Sequence, residues 1–183
     1  MDRTQHYSPL EERTNVLSHA FGLILSIVAL VLMVVRASMY GNAWHVVGAA
    51  IFGASLISLY AASTLYHSEK NLKRRSRWRV LDHATIYVLI AGTYTPFTLV
   101  TLNGPLGWTI FGISWGMAIA GVTLKLFFTG RFGVLSTLMY VVMGWIIVFA
   151  LKPLISNLST EGLAWLFAGG ISYTGGAVIY LSL

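Results

Sequence analysis

From Val16 to Val35 the chain carries no charged side chain, Arg36 being the first. A helix needs about 20 apolar residues to cross a bilayer, and lipid offers nothing to an unpaired backbone amide. A run of this length therefore folds as a helix in lipid. Five more runs follow, from Trp44 to Tyr66, Asp82 to Leu102, Leu106 to Phe128, Phe132 to Leu151 and Leu163 to Leu183. The expected fold is all-α, a polytopic transmembrane helix bundle with six spans in one integral membrane domain over residues 1–183. Composition agrees: 56% of the residues are hydrophobic, only 10% are charged, and the mean hydropathy is +0.73. That balance lies outside the range of soluble domains.

The segments between the runs read as punctuation. Residues 1–15 form a polar tail that looks retained, because the first apolar run is too long for a signal-peptide core. Within the tail, Ser8-Pro9-Leu10-Glu11 is a helix start, with Ser8 as cap, Pro9 in the first turn and Glu11 closing a capping box. A short interfacial helix is expected to lead from it into the first span. Met39 to Ala43, Asn103-Gly104-Pro105 and Thr129-Gly130-Arg131 are turns, and Lys152-Pro153 ends the fifth span. Pro96 stands where it can kink the third.

The net charge of +6 and the pI near 9.8 do not point to nucleic acid, because the positive charge is concentrated. Lys70, Lys73, Arg74, Arg75, Arg77 and Arg79 all fall in the segment from Ser68 to Arg79, read as a loop between two spans. Cytoplasmic loops carry such an excess. With the N-terminus in the cytoplasm, these six join Arg3, Arg13, Lys125 and Arg131 inside, and only Arg36 and Lys152 remain outside. The expected orientation has a cytoplasmic N-terminus. The same orientation collects His19, Ser63, His67, Asp82 and His83 toward the cytoplasmic face.

Ser63 and His67 are four residues apart and share a helix face, with Tyr60 a further turn back. Histidine is a common zinc ligand and a hydroxyl one turn away can support it. Asp82, across the basic segment, can bind a metal, hold a metal-bound water or act as general base. Ionisable residues inside a membrane are functional candidates by default. Plainer roles stand beside these: His67 as an interfacial histidine, Asp82 as a cap of the third helix or a partner of Arg79. His83 and His19 read as packing or hydrogen-bonding groups, His45 lies toward the opposite side, and His6 belongs to the tail. Gly112 with Gly116, and Ser172 with Gly176, read as sites of close helix packing. Trp108, Trp115, Trp145 and Trp165 read as interface or packing groups. With no cysteine in the chain, disulfides, thiolate zinc sites and cysteine nucleophiles are excluded.

Three stretches together resemble the hemolysin III family of bacterial membrane proteins: EERTNVLSHAFG at 11–22, ASTLYH at 62–67 and DHATIYVLIAGTYTPF at 82–97. That family is similar to the progestin and adipoQ receptors, which include the adiponectin receptors, and more distantly to the alkaline ceramidases. The resemblance implies a seven-helix bundle in the bacterial inner membrane with zinc near the cytoplasmic side. Carried over, His67 is a zinc ligand, Ser63 a hydroxyl supporting it, and Asp82 the catalytic group that holds the metal-bound water. Two further histidine ligands are expected from an H-x-x-x-H on a seventh helix. No such motif follows His67, and the apolar run that stops at Leu183 without a polar flank suggests a chain cut short of that helix.

Three functions stay open. One is a zinc-dependent hydrolase acting on a membrane lipid amide or ester. The second is a pore-forming cytolysin, the activity in the family's name, although permanent apolar spans suit a resident membrane protein better. The third is a receptor-like bundle whose zinc is structural. The expected partners are membrane lipids, as solvent and as substrate, and not nucleic acid.

Overall fold

The computed structural model describes residues 8–128 and 133–182. The tail residues Arg3 and His6, the turn at Thr129-Gly130-Arg131, and Leu183 lie outside the described residues. Among the described residues all regular structure is helical, in the order α1 (Pro9–Tyr40), α2 (Ala43–Ser68), α3 (Leu72–Pro96), α4 (Pro105–Phe127), α5 (Gly133–Trp145), α6 (Leu151–Asn157) and α7 (Thr160–Ser182). A π-helical turn, Phe97–Thr101, prolongs α3, and a 3-10 turn, Ile146–Ala150, joins α5 to α6. Counted with these joins, six helices are long and apolar enough to cross a membrane.

The capping box works as the sequence indicates. The Ser8 hydroxyl accepts from the Glu11 amide at 3.3 Å, and the Glu11 carboxylate accepts from the Ser8 amide at 2.6 Å. No separate interfacial helix precedes the first span, since α1 runs unbroken from Pro9 to Tyr40. A larger departure concerns the basic segment. Asn71 caps a helix through the amides of Lys73 and Arg74, so α3 starts at Leu72 and the cations from Lys73 to Arg79 are helical. Good helix formers directly after an Asn cap favour that outcome. Asp82 therefore lies within α3 and does not cap it.

α3 is the centre of the bundle. It packs on α2 and α4 and also meets α5, while α1 packs on α2 and α7 on α5. Half of its apolar stretch is buried inside the protein, against 6% for α1 and none for α7, which fixes it as the inner helix. The core runs from Tyr87, Ile90, Ala91 and Tyr94 of α3 to Ile110 and Ala118 of α4, then to Met143, Ile146, Ala150 and Leu154 along the fifth span. Glycines let these helices approach. A Cβ on Gly22 would stand 2.6 Å from the Tyr60 ring, and one on Gly107 would collide with the Thr98 carbonyl. Gly112, Gly116 and Gly176 behave differently, for nothing lies within 4 Å of a Cβ added to any of them. The close packing expected there is absent among the described residues. The chain places Gly112 and Gly116 on the outer face of α4, where spacing alone could not separate lipid-facing from partner-facing glycine.

The fifth span does not end at Lys152-Pro153. It passes through the 3-10 turn and continues as α6 to Asn157. A helix that changes pitch leaves backbone groups in need of partners, which lipid cannot supply. Tyr94 of α3 supplies them: its hydroxyl donates toward the Met143 and Gly144 carbonyls at 2.8 and 2.9 Å and accepts from the Ile147 amide at 3.0 Å.

Tyr94→Phe is expected to destabilise the detergent-solubilised protein by about 1–3 kcal/mol, the cost of stranding buried polar groups, read as a lowered thermal midpoint. Gly107→Ala, which meets backbone, should cost about 1–3 kcal/mol as an overpacked site does. Gly112→Ala should stay within about 0.5 kcal/mol of the parent.

Candidate functional site

Three helices meet at one end of the bundle, the start of α1, the end of α2 and the start of α3. Glu12 lies in the first turn of α1, and its carboxylate reaches both neighbours. One oxygen, Oε2, is 2.8 Å from Nδ1 of His67, and the other, Oε1, is bound by the Arg75 guanidinium. All three side chains are largely withdrawn from solvent, at 18% accessibility for Glu12, 9% for His67 and 16% for Arg75. The guanidinium also lies over the Tyr66 ring, 5.0 Å from its centroid. A carboxylate shared by a guanidinium and an imidazole at low exposure makes charge-assisted hydrogen bonds, stronger than neutral ones.

Histidine rings extend the network. His19, two turns after Glu12 on the same side of α1, stacks on His67 with centroids 5.7 Å apart and planes 8° from parallel, and Tyr60 lies 6.0 Å from it. The Tyr66 ring tilts against His67 at 4.6 Å. Ser63 is buried on the inner face of α2, one turn before His67. Asp82 is half-buried on α3 and, with His67, acts electrostatically on His19. Ser63, His67 and Asp82 are thus placed at one end of the bundle, and His19 joins them instead of serving α1 alone. His83 lines a separate cavity with Tyr140, whose hydroxyl donates to the His83 backbone carbonyl at 2.9 Å. His45 is remote, with Nδ1 facing the Asn42 amide at the cap of α2.

Glu12 and Arg75 are the members that sequence reasoning missed. Glu12 stands beside Glu11, whose capping role is plain, and Arg75 is one of six cations in a row. The available signal was spacing, because Glu12 and His19 are seven residues apart, which returns a helix to the same face.

Apart from this network, and lined by none of its residues, a cavity of about 300 Å³ opens among α3, α4, α5 and α7. His83 and Lys125 line it with the hydroxyl-bearing Ser136, Thr137, Tyr140 and Tyr173, and Ser172 and Gly176 border it as well. Its walls are mainly apolar with a few polar groups, the usual make-up of a pocket for an amphiphile.

The donor set was tested against zinc. His67 is of the right kind, since a metal-bound histidine is commonly oriented by a carboxylate on its other ring nitrogen, and Glu12 occupies Nδ1. The number falls short. Among the described residues no group of three or more His, Cys, Asp or Glu side chains could hold a metal ion, and zinc sites need at least three protein ligands. The described residues do not fit zinc by themselves, and no chemical step is routed through it.

A bundle of six membrane-length helices with a buried acid–histidine–arginine network at one end defines a multi-pass membrane protein with a polar centre near one interface. The chain belongs to the haemolysin-III related family, which it matches over residues 7–183. It is 49% identical to Hemolysin-3 of Bacillus cereus over 171 residues, covering 93% of this chain and 78% of that protein. It is 47% identical to the Hemolysin-3 homolog of Bacillus subtilis, over 93% of this chain and 80% of the relative. More distantly, it is 27% identical to the human Monocyte to macrophage differentiation factor, over 94% and 72% of the two chains. No solved structure matches. The hemolysin III resemblance read from the three motif stretches is thus borne out.

Glu12→Gln is expected to cost about 1–3 kcal/mol, as it leaves a partly buried guanidinium without its counter-charge. A double-mutant cycle with Arg75→Gln should return a coupling of about 0.5–3 kcal/mol. Additive effects in thermal or denaturant unfolding would show that the pair contributes nothing jointly.

Proposed function

We propose that this chain is a resident protein of the bacterial inner membrane, with its N-terminus in the cytoplasm, that hydrolyses an amide or ester of a membrane lipid at the Glu12 end of the bundle. In this reading the reaction depends on zinc. His67 would be a ligand, with Ser63 supporting it and Asp82 placed to hold a water, and the further ligands would come from outside the described residues. When bound, zinc would lower the pKa of its water and polarise the carbonyl.

The observation that carries the reading is the Glu12–His67 pair, because a partly buried carboxylate on one nitrogen of an imidazole is the support a metal-bound histidine commonly has. A mainly apolar cavity on the α4, α5 and α7 side of α3 suits an amphiphile, and none of Glu12, Ser63, His67 or Asp82 lines it. Charge supports the orientation, for the exposed cations of α3 stand at the same end.

A second reading, cytolysis, rests on the name Hemolysin-3 carried by the Bacillus cereus relative. Against it stands the apolar exterior: Phe21, Leu32, Phe149 and Trp165 are among many large side chains facing outward, a surface that suits permanent residence in lipid.

The full-length protein, purified in detergent, should carry about one zinc per chain in a tri-ligated site. His67→Ala should remove most of that metal, and Asp82→Ala should abolish lipid turnover while retaining part of it. Zinc unchanged by His67→Ala would sink the site assignment. Zinc without turnover would favour a structural metal in a receptor-like bundle, and red-cell lysis that persists in both variants would favour the cytolysin.

A further inference from the structure

The cations that open α3 are divided between two faces. Arg75 points inward to Glu12, and Arg79, one turn on, is half-buried and acts on His83 and Lys125. Lys73, Arg74 and Arg77 are exposed and, at 3.6 residues per turn, fall within about 100° of one another on the helix surface. Lys70 is exposed just before the cap. Among the described residues the acid that meets this set is Glu69, whose Oε2 lies 3.7 Å from Nε of Arg74 and whose Oε1 accepts from the Asn71 amide. One turn beyond Arg77 on the same face, Leu81 is 41% exposed. This surface therefore passes from a cluster of cations to apolar side chain over two turns.

Orientation in the membrane needs only a count of cations, with no preference for a face. The first turn of a helix is also the wrong end for them, since the macrodipole is positive there, and α3 has no acidic residue in that turn. Cations gathered on one outer face at a positive helix end, above an apolar surface, are stabilised by an external anion attached to an apolar tail.

We propose that the outer face formed by Lys70, Lys73, Arg74 and Arg77 is a binding surface for anionic phospholipid, with the phosphate on the cations and the acyl chain against Leu81. Free inorganic phosphate supplies the charge without the tail and so binds weakly.

The test uses native mass spectrometry of the purified full chain titrated with phosphatidylglycerol, with phosphatidylcholine as the neutral comparator. The chain should retain phosphatidylglycerol at lower lipid concentration than phosphatidylcholine. Each cation near a membrane surface contributes about fivefold to such binding, so Lys73→Gln with Arg77→Gln should raise the phosphatidylglycerol concentration for half-retention about 25-fold. The response to phosphatidylcholine should not move, and Arg36→Gln, at the other end of α1, should leave both unchanged. The double variant's melting in phosphatidylcholine nanodiscs checks its fold. Where it fails to fold, Arg77→Gln alone should shift half-retention about fivefold. Equal retention of the two lipids by the parent, parental phosphatidylglycerol retention by a folded variant, or displacement of the lipid by millimolar inorganic phosphate would each overturn the proposal.

Discussion

The Glu12 carboxylate is the constraint on which this end of the bundle depends. It lies in the first turn of a helix that is otherwise apolar for most of its length, and at 18% accessibility an unpartnered carboxylate is costly. Binding His67 and Arg75 together answers the cost and joins three chain segments far apart in sequence. The rest of the polar end follows from that junction. His67 is held against His19, Arg75 is withdrawn from its basic neighbours onto Tyr66, and α3 enters the bundle as its inner helix.

The interior repeats the same rule with neutral groups. The break in the fifth span needs hydrogen-bond partners, and Tyr94 provides them from the neighbouring helix. Tyr87, two turns earlier on the same face of α3, donates to the Ser136 carbonyl, and the Trp115 indole donates to Thr95. Among the described residues no buried side-chain nitrogen or oxygen lacks a partner. Lipid imposes that bookkeeping more strictly than water does, because a stranded group has no solvent to fall back on.

Much of this was legible in the chain. Spans show as uninterrupted apolar runs, the Ser8 box as a local motif, and the family as three specific stretches. What escaped was anything that depended on the side of a helix facing a partner. The start of α3 reads as loop because its concentrated charge separates two apolar runs, whereas Asn71 capping and helical propensity carry the helix back to Leu72. Gly112 and Gly116 have the spacing of a packing motif, but they stand exposed on α4 with nothing within 4 Å of an added Cβ. Glu12 was hidden by Glu11, and a one-residue offset on a helix, about 100°, separates a cap from a tertiary ion pair.

The 3-10 turn from Ile146 to Ala150 also has a dimensional effect. A residue in that conformation rises about 2.0 Å, against about 1.5 Å in an α-helix, so five of them lengthen the span by about 2.5 Å. Reach is thereby gained without added residues. Lys152, exposed on the following turn, is carried roughly half a helical turn further along the bundle axis, toward water and away from hydrocarbon.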